Sequence, residues 1–340
     1  MGGMILPFDF QPIGHTDVLL PRLGVGTAPI GNLFTSVSEE AAEQMLAYAE
    51  RVGASWFDTA PLYGHGLAEQ RLGAYLRAAA PARRTISTKV GRVLNPAPHA
   101  EPPPHFVNPL PFQPAFDYSA AGIRRSLEES LGRLGLASVD IALLHDVDRL
   151  THAGGHRRLV PQLLVDSLPA MVQLKADGLV RAIGLGINEW DIGYELLMEH
   201  PLDVILLAGR YTLLDQSAFT SGFLDACARR HTSVVLGGVF NSGLLVGGET
   251  FDYAPAQAKL RDRVKELTRL CDAHGVPLPA AALQFAAAHP AVRALTVGAR
   301  TAVELEEIVR WSSTSLPEQL WRDLKAGGHI PVETPVPETL

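Results

Sequence analysis

What most constrains this chain is an alternation: from Arg22 onward, short apolar or β-branched runs are followed by longer helical patterns, eight times over. Such an alternation builds a parallel sheet, because a strand can return to the same edge only through a long crossover. Strands are expected at residues 22–26, 54–57, 85–88, 139–144, 180–185, 203–207, 233–236 and 294–297. Eight units of roughly 35 to 40 residues fill a 340-residue chain, which favours a closed (β/α)8 TIM barrel, a single domain over 1–340, against an open doubly wound sheet.

The helical stretches carry their own marks. Ser119 is placed to cap a helix in which Ile123, Leu127, Leu131 and Leu134 share one face, and Gly135 ends it. Further helices are expected at 38–51, 163–176, 217–230, 258–274 and 301–311, with one more short helix after Pro317. Residues 92–117 break the rhythm with eight prolines and two histidines. A βα loop of that length lies over the catalytic mouth of a barrel, so this Pro-rich segment is read as a wall of the substrate pocket.

Composition removes several function classes. A net charge of -7 without any dense Lys/Arg run argues against a nucleic-acid partner. Cys227 and Cys271 are too few for a disulfide framework and wrongly spaced for a metal knuckle. His152 and His156 flank two glycines, without the Glu of a zinc-protease motif, so they read as loop histidines and no metal is expected. The N-terminal residues match neither a signal peptide nor a membrane span, which makes the expected compartment cytoplasmic, with no membrane partner. No Gly-x-Ser-x-Gly elbow is present.

Polar residues gather at the C-terminal ends of successive strands, where barrel active sites assemble. The second strand runs into Asp58 and Tyr63, the third delivers Lys89, and the fourth delivers His145 followed by Asp146. A tyrosine is a poor proton carrier at neutral pH, but a neighbouring ammonium favours its phenolate, a carboxylate holds that ammonium, and an imidazole can hold the reacting oxygen.

The segments FDTAPLYGHGLAEQRLG (57–73), STKVGR (87–92) and VDIALLHDVD (139–148) resemble the signatures of the aldo/keto reductase family, over nearly the whole chain. The resemblance implies a catalytic tetrad of Asp58, Tyr63, Lys89 and His145, a nicotinamide cofactor and a small-molecule substrate. Carried over by position, it puts Gly26, Thr27, Asp58 and Asn188 at the nicotinamide end, Gly238, Phe240 and Ser242 along the pyrophosphate, and Gly298, Arg300 and Glu304 at the adenosine, Glu304 favouring NAD. Leu33, Phe34 and Trp190 join Tyr63 and His145 as substrate contacts. Gly237 stands where many members have a ring stacked on the nicotinamide, a role then left to Phe240, and Ala208 replaces a glutamine. The LHD sequence, the helix at 116–135 and the segment at 206–216 are similar to the aldose 1-dehydrogenase branch. That likeness implies oxidation of a cyclic hemiacetal at its anomeric carbon, the substrate being an aldose such as L-fucose or L-galactose, or pyridoxal, with Tyr63 poised as the phenolate.

Three other readings stand beside this one. A general aldehyde or ketone reductase of the same family is one, and a nicotinamide-binding regulatory barrel without turnover is another. A Rossmann dehydrogenase is the third: Gly24-Val25-Gly26 begins its fingerprint, but the next glycine is Gly31, too late for the motif.

Overall fold

The computed structural model describes residues 9–80, 82–97 and 105–337. Eight parallel strands close a barrel in chain order: β1 Leu23–Gly26, β2 Trp56–Asp58, β3 Thr85–Val90, β4 Ile141–His145, β5 Ala182–Ile187, β6 Val204–Ala208, β7 Ser233–Gly237 and β8 Val292–Gly298. β8 pairs back on β1, Leu295 opposite Leu23 and Gly298 opposite Gly26. All eight expected strands are present. Most reach further toward the mouth than the apolar pattern indicated, because pairing continues through the polar residues that end them.

Around the barrel run α1 Glu39–Arg51, α2 Leu67–Ala78, α3 Ala120–Leu134, α4 Leu168–Ala176, α5 Trp190–Glu199, α6 Phe223–Arg229, α7 Ala258–Ala273, α8 Leu278–Ala286, α9 Ala302–Ser312 and α10 Glu318–Ala326. The Ser38 and Ser119 side chains accept from the backbone N–H of Ala41 and Gly122, capping α1 and α3, and Gly135 closes α3 in the left-handed conformation. α2, α5 and α8 were not among the expected helices. The stretch at 217–230 is not continuous: Gly222, at φ 75°, separates a single turn, Ser217–Thr220, from α6. At 163–176 a π turn, Leu163–Ser167, precedes α4.

Side chains alternate across each strand, so one set faces the barrel axis and the other the helices. Trp56, Ile141, Leu143, Ala182, Val204, Leu206, Val235 and Ala294 form the inner core, joined by Ile13, Val18 and Leu20. Those last three flank or lie on an antiparallel ribbon, Phe10–Pro12 with Leu19–Pro21, that the sequence reading lacks. The outward residues, such as Phe57, Ile86, Ala142 and Leu144, pack in the larger cluster under the helices. The same parity turns Asp58, two residues after Trp56, and His145, two after Leu143, toward the axis.

Two glycines of β5 make that interior possible. At Gly184 a Cβ would stand 1.7 Å from the Val204 carbonyl oxygen, and at Gly186 it would stand 3.3 Å from Cε of Lys89. Gly184→Ala is therefore expected to push β5 from β6, costing about 1–3 kcal/mol. A thermal melt should show a midpoint lower by several degrees, and an unchanged midpoint would contradict this packing.

Candidate active site

The site is built on the ends of β2, β3 and β4. Lys89 Nζ donates to Asp58 Oδ2 at 2.6 Å, to the Thr59 carbonyl at 2.9 Å and to the Tyr63 hydroxyl at 2.9 Å. Asp58 Oδ1 accepts from Ser87 Oγ at 2.8 Å, and Ser87 Oγ accepts from the Trp56 indole at 2.9 Å. Asp58 and Lys89 are each 2% exposed, so the pair is removed from water and each charge depends on the other. The Tyr63 ring stands edge-on to the His145 ring, 6.2 Å between centroids. The structure thus brings Asp58, Tyr63, Lys89 and His145 to one mouth.

Burial opposes the charge on Lys89, but Asp58 and the Tyr63 oxygen outweigh it and hold the ammonium protonated above its ordinary range. For Tyr63 the balance falls the other way. Burial of the hydroxyl dominates the pull of Lys89, and Asp58 and Asp146 add to burial, so its ionisation is raised above the ordinary 10.0. The balance of burial over the pull of Lys89 thus runs against the resting phenolate that the sequence suggested. His145 is held neutral, pushed well below its ordinary range by burial and then by Arg92 and Lys89. Its Nδ1 is buried without a partner, and Nε2 lies 3.4 Å from Asp146 Oδ2, which selects the tautomer with the proton on Nε2.

The remaining expected residues are placed as follows. Thr27 uses both its N–H and its hydroxyl on the Asp58 carbonyl, at 2.8 and 3.0 Å, and so steadies β2. Gly26 lies beside Asp58 and Gly298 in register. Asn188 Nδ2 donates to Asp146 Oδ1 at 3.0 Å and Asp148 Oδ2 at 3.2 Å. Phe240 packs edge-on against Trp311, 5.9 Å between centroids. Arg300 and Glu304 are bonded to each other at 2.6 Å on the surface. Trp190 packs against the outer core, whereas Leu33 bridges to Phe106 and Phe34 stands against His105 and Tyr253. The two departures from the family pattern are cross-strand neighbours, Ala208 paired with Gly237.

Part of the 92–117 segment is ordered structure: Arg92–Pro96 pairs antiparallel with Phe112–Phe116, while 98–104 lies outside the described residues. Leu110 N–H donates to the Gly64 carbonyl at 3.0 Å and His65 Nδ1 meets the Phe112 carbonyl at 2.5 Å, tying this ribbon to the Tyr63 loop.

Sequence reasoning placed Asp146 after His145 at the strand end but gave it no role and did not foresee what holds it. Asp146 adopts φ 51°, and its carbonyl is met by the Tyr118 hydroxyl at 3.1 Å and His152 Nε2 at 2.9 Å. Tyr118 also donates to the His145 carbonyl at 2.7 Å. His152, expected as a loop histidine, ends a single helical turn, Arg149–His152, and clamps the backbone beside the site.

The family model described as the aldo/keto reductase family matches residues 22–327. The chain belongs to that family. It is 40% identical to pyridoxal 4-dehydrogenase of Microbacterium luteolum over 94% of this chain and 97% of that protein. It is 37% identical to D-threo-aldose 1-dehydrogenase of a Pseudomonas species (92% and 95%) and 28% identical to L-galactose dehydrogenase of Arabidopsis thaliana (88% and 87%). A holo aldo-keto reductase structure from Bacillus halodurans superposes with a TM-score of 0.74 at 22% identity, covering 94% of this chain and 96% of that one. This aldo/keto reductase is an oxidoreductase acting on CH–OH groups with a nicotinamide cofactor.

The raised Tyr63 ionisation is directly measurable. The ultraviolet phenolate signal of the wild type minus that of Tyr63→Phe is expected to show a midpoint above pH 10.0 for this residue. A difference signal rising near neutral pH would mean that Lys89 outweighs burial.

Proposed function

We propose that this aldo/keto reductase oxidises a cyclic hemiacetal, an aldose or pyridoxal, at its anomeric carbon to a lactone, using NAD⁺. The observation that carries the reading is the polar mouth itself, in which the Tyr63 hydroxyl sits 2.9 Å from Lys89 Nζ with the neutral His145 ring across from it. Likeness along nearly the whole chain to enzymes named as dehydrogenases of pyridoxal and of aldoses supports the substrate class.

The chain's own atoms divide the work. His145 Nε2–H donates to the anomeric oxygen and keeps it beside Tyr63. The Tyr63 oxygen accepts the hydroxyl proton as the C1–H bond breaks and the C1=O bond forms, and Lys89, kept charged by Asp58, offsets the phenolate that this acceptance requires. Because burial keeps the phenol protonated at rest, the competent fraction grows with pH, so oxidation is favoured on the alkaline side.

The cofactor's residues fit by two observations. Gly238, Asn241, Ser242 and Gly243 all have positive φ, and within the described residues the N–H groups of Val239, Phe240 and Ser242 donate to no protein acceptor, a turn suited to an anionic pyrophosphate. Asn188, its amide nitrogen held by two carboxylates, turns Oδ1 into a fixed acceptor for a carboxamide. When bound, the oxidised nicotinamide is the hydride acceptor. Gly298, Arg300 and Glu304 would edge the adenosine, where Arg300 is already neutralised by Glu304 and the arrangement favours a ribose hydroxyl over a 2′-phosphate.

A reduced-nicotinamide absorbance screen over aldoses, pyridoxal and simple alcohols, run with each dinucleotide, tests all of this together. Turnover of hemiacetals with NAD⁺ favoured by about tenfold or more in kcat/KM is the expected result. Activity confined to open-chain alcohols would remove the substrate assignment, and an NADP⁺ advantage would remove the cofactor assignment.

A further inference from the structure

Asp146 touches no reacting atom in the scheme outlined above, where it only orients His145 and Asn188, yet several contacts hold it at the mouth. Asp146 lies in the left-handed region at φ 51°, which aspartate and asparagine adopt more readily than other side chains, and its surroundings hold the backbone there. Here the surroundings are the Tyr118 hydroxyl and His152 on its carbonyl, and its own N–H on the Gly186 carbonyl at 2.8 Å. These contacts aim the carboxylate between three mouth residues. Oδ2 meets Arg92 Nη2 at 2.5 Å and faces His145 Nε2 at 3.4 Å, and Oδ1 accepts from Asn188 at 3.0 Å.

The pair is not closed on itself. Arg92 Nε is buried without an acceptor, and each carboxylate oxygen has one short partner and lone-pair capacity for another. The Arg92 guanidinium lies over the half-exposed Phe116 ring at 4.2 Å, and that ring packs on His152 at 4.4 Å. A carboxylate acceptor, a guanidinium donor and an aromatic face thus adjoin the ring nitrogen that holds the reacting oxygen. Acceptor and donor together suit a hydroxyl, which both donates and accepts.

We propose that Asp146, with Arg92, is a specificity-determining residue that binds a second substrate hydroxyl flanking the anomeric one. This rests on the hemiacetal reading and narrows it to substrates carrying that second group, the 2-hydroxyl of an aldose or the phenolic hydroxyl of pyridoxal. Asp146 accepts a hydrogen bond from the flanking hydroxyl, Arg92 donates to its oxygen, and the substrate is thereby turned so that its anomeric oxygen lies between Tyr63 and His145. A site built to bond a hydroxyl discriminates strongly against the analogue lacking it, because its polar groups are then left unpaired.

The test is a cycle between one side chain and one hydroxyl. L-Fucose and its 2-deoxy analogue, and pyridoxal and its 3-deoxy analogue, are compared on the wild type and on Asp146→Asn. Asparagine tolerates the left-handed backbone, and a thermal melt within a few degrees of wild type verifies the fold. The wild type is expected to lose about tenfold to a hundredfold in kcat/KM when the flanking hydroxyl is removed from its substrate, Asp146→Asn to lose a similar factor on the parent compound, and the two losses not to multiply. Which pair shows the coupling tells sugar from pyridoxal. Multiplying losses, or full discrimination retained by Asp146→Asn, overturn the proposal. Calorimetric binding of the same four compounds to the enzyme–NAD⁺ complex separates it from the broader reading: Asp146-dependent binding without turnover would sink hemiacetal oxidation and leave the recognition standing, whereas binding indifferent to the hydroxyl or to Asp146 would sink the recognition itself.

Discussion

Everything at the barrel mouth depends on one buried charge, the Lys89 ammonium, 2% exposed and shared between Asp58 and Tyr63. An isolated ammonium there would shed its proton, since moving it from water into such a site costs several kcal/mol. Asp58 prevents this, and Asp58 in turn is held by Ser87, which is held by the Trp56 indole. The inner core residue Trp56 and the Asp58 carboxylate are thus linked through one hydroxyl. Glycine at position 186 leaves the lysine stem its path across the interior, so packing and electrostatics at this point are a single arrangement.

The same burial shapes the chemistry. It works against the Tyr63 phenolate more strongly than Lys89 works for it. It also keeps His145 neutral, with its proton directed by Asp146 toward the mouth rather than toward the unpartnered Nδ1. A neutral imidazole and a fixed ammonium flank the Tyr63 oxygen, which must give up its own proton to solvent before it can take one from a substrate hydroxyl. Asp146, meeting Arg92 and Asn188 as well as His145, joins this group to the side where the nicotinamide's carboxamide would be held.

Much of this was legible in the sequence because it follows from period and position. Alternation located all eight strands, and polar residues at strand ends located Asp58, Lys89 and His145, since a residue two places after an inward apolar one must also face inward. What stayed hidden depended on contacts between distant segments. The N-terminal ribbon has no strong alternation, and Pro-rich 92–117 conceals a paired ribbon because prolines suppress the usual strand signal. Asp146 looked like a strand-end residue with no task; its role follows from a positive φ that Tyr118 and His152 impose, and neither neighbour marks it in the sequence. The bond from Thr27 to the Asp58 carbonyl and the packing of the Phe240 ring on Trp311 likewise join segments far apart in the chain, and no local pattern marks them.

The central claim is that Lys89 acts on the reacting oxygen only through Tyr63. Single-turnover hydride transfer, measured in the wild type, Tyr63→Phe, Lys89→Met and the double variant at saturating cofactor, addresses it most directly. Each single substitution should slow the transfer by about 10²- to 10⁴-fold, the range expected for loss of general acid–base assistance, and the double variant should be no slower than the slower single one. Losses that multiply would show Lys89 and Tyr63 working independently, and would contradict the account.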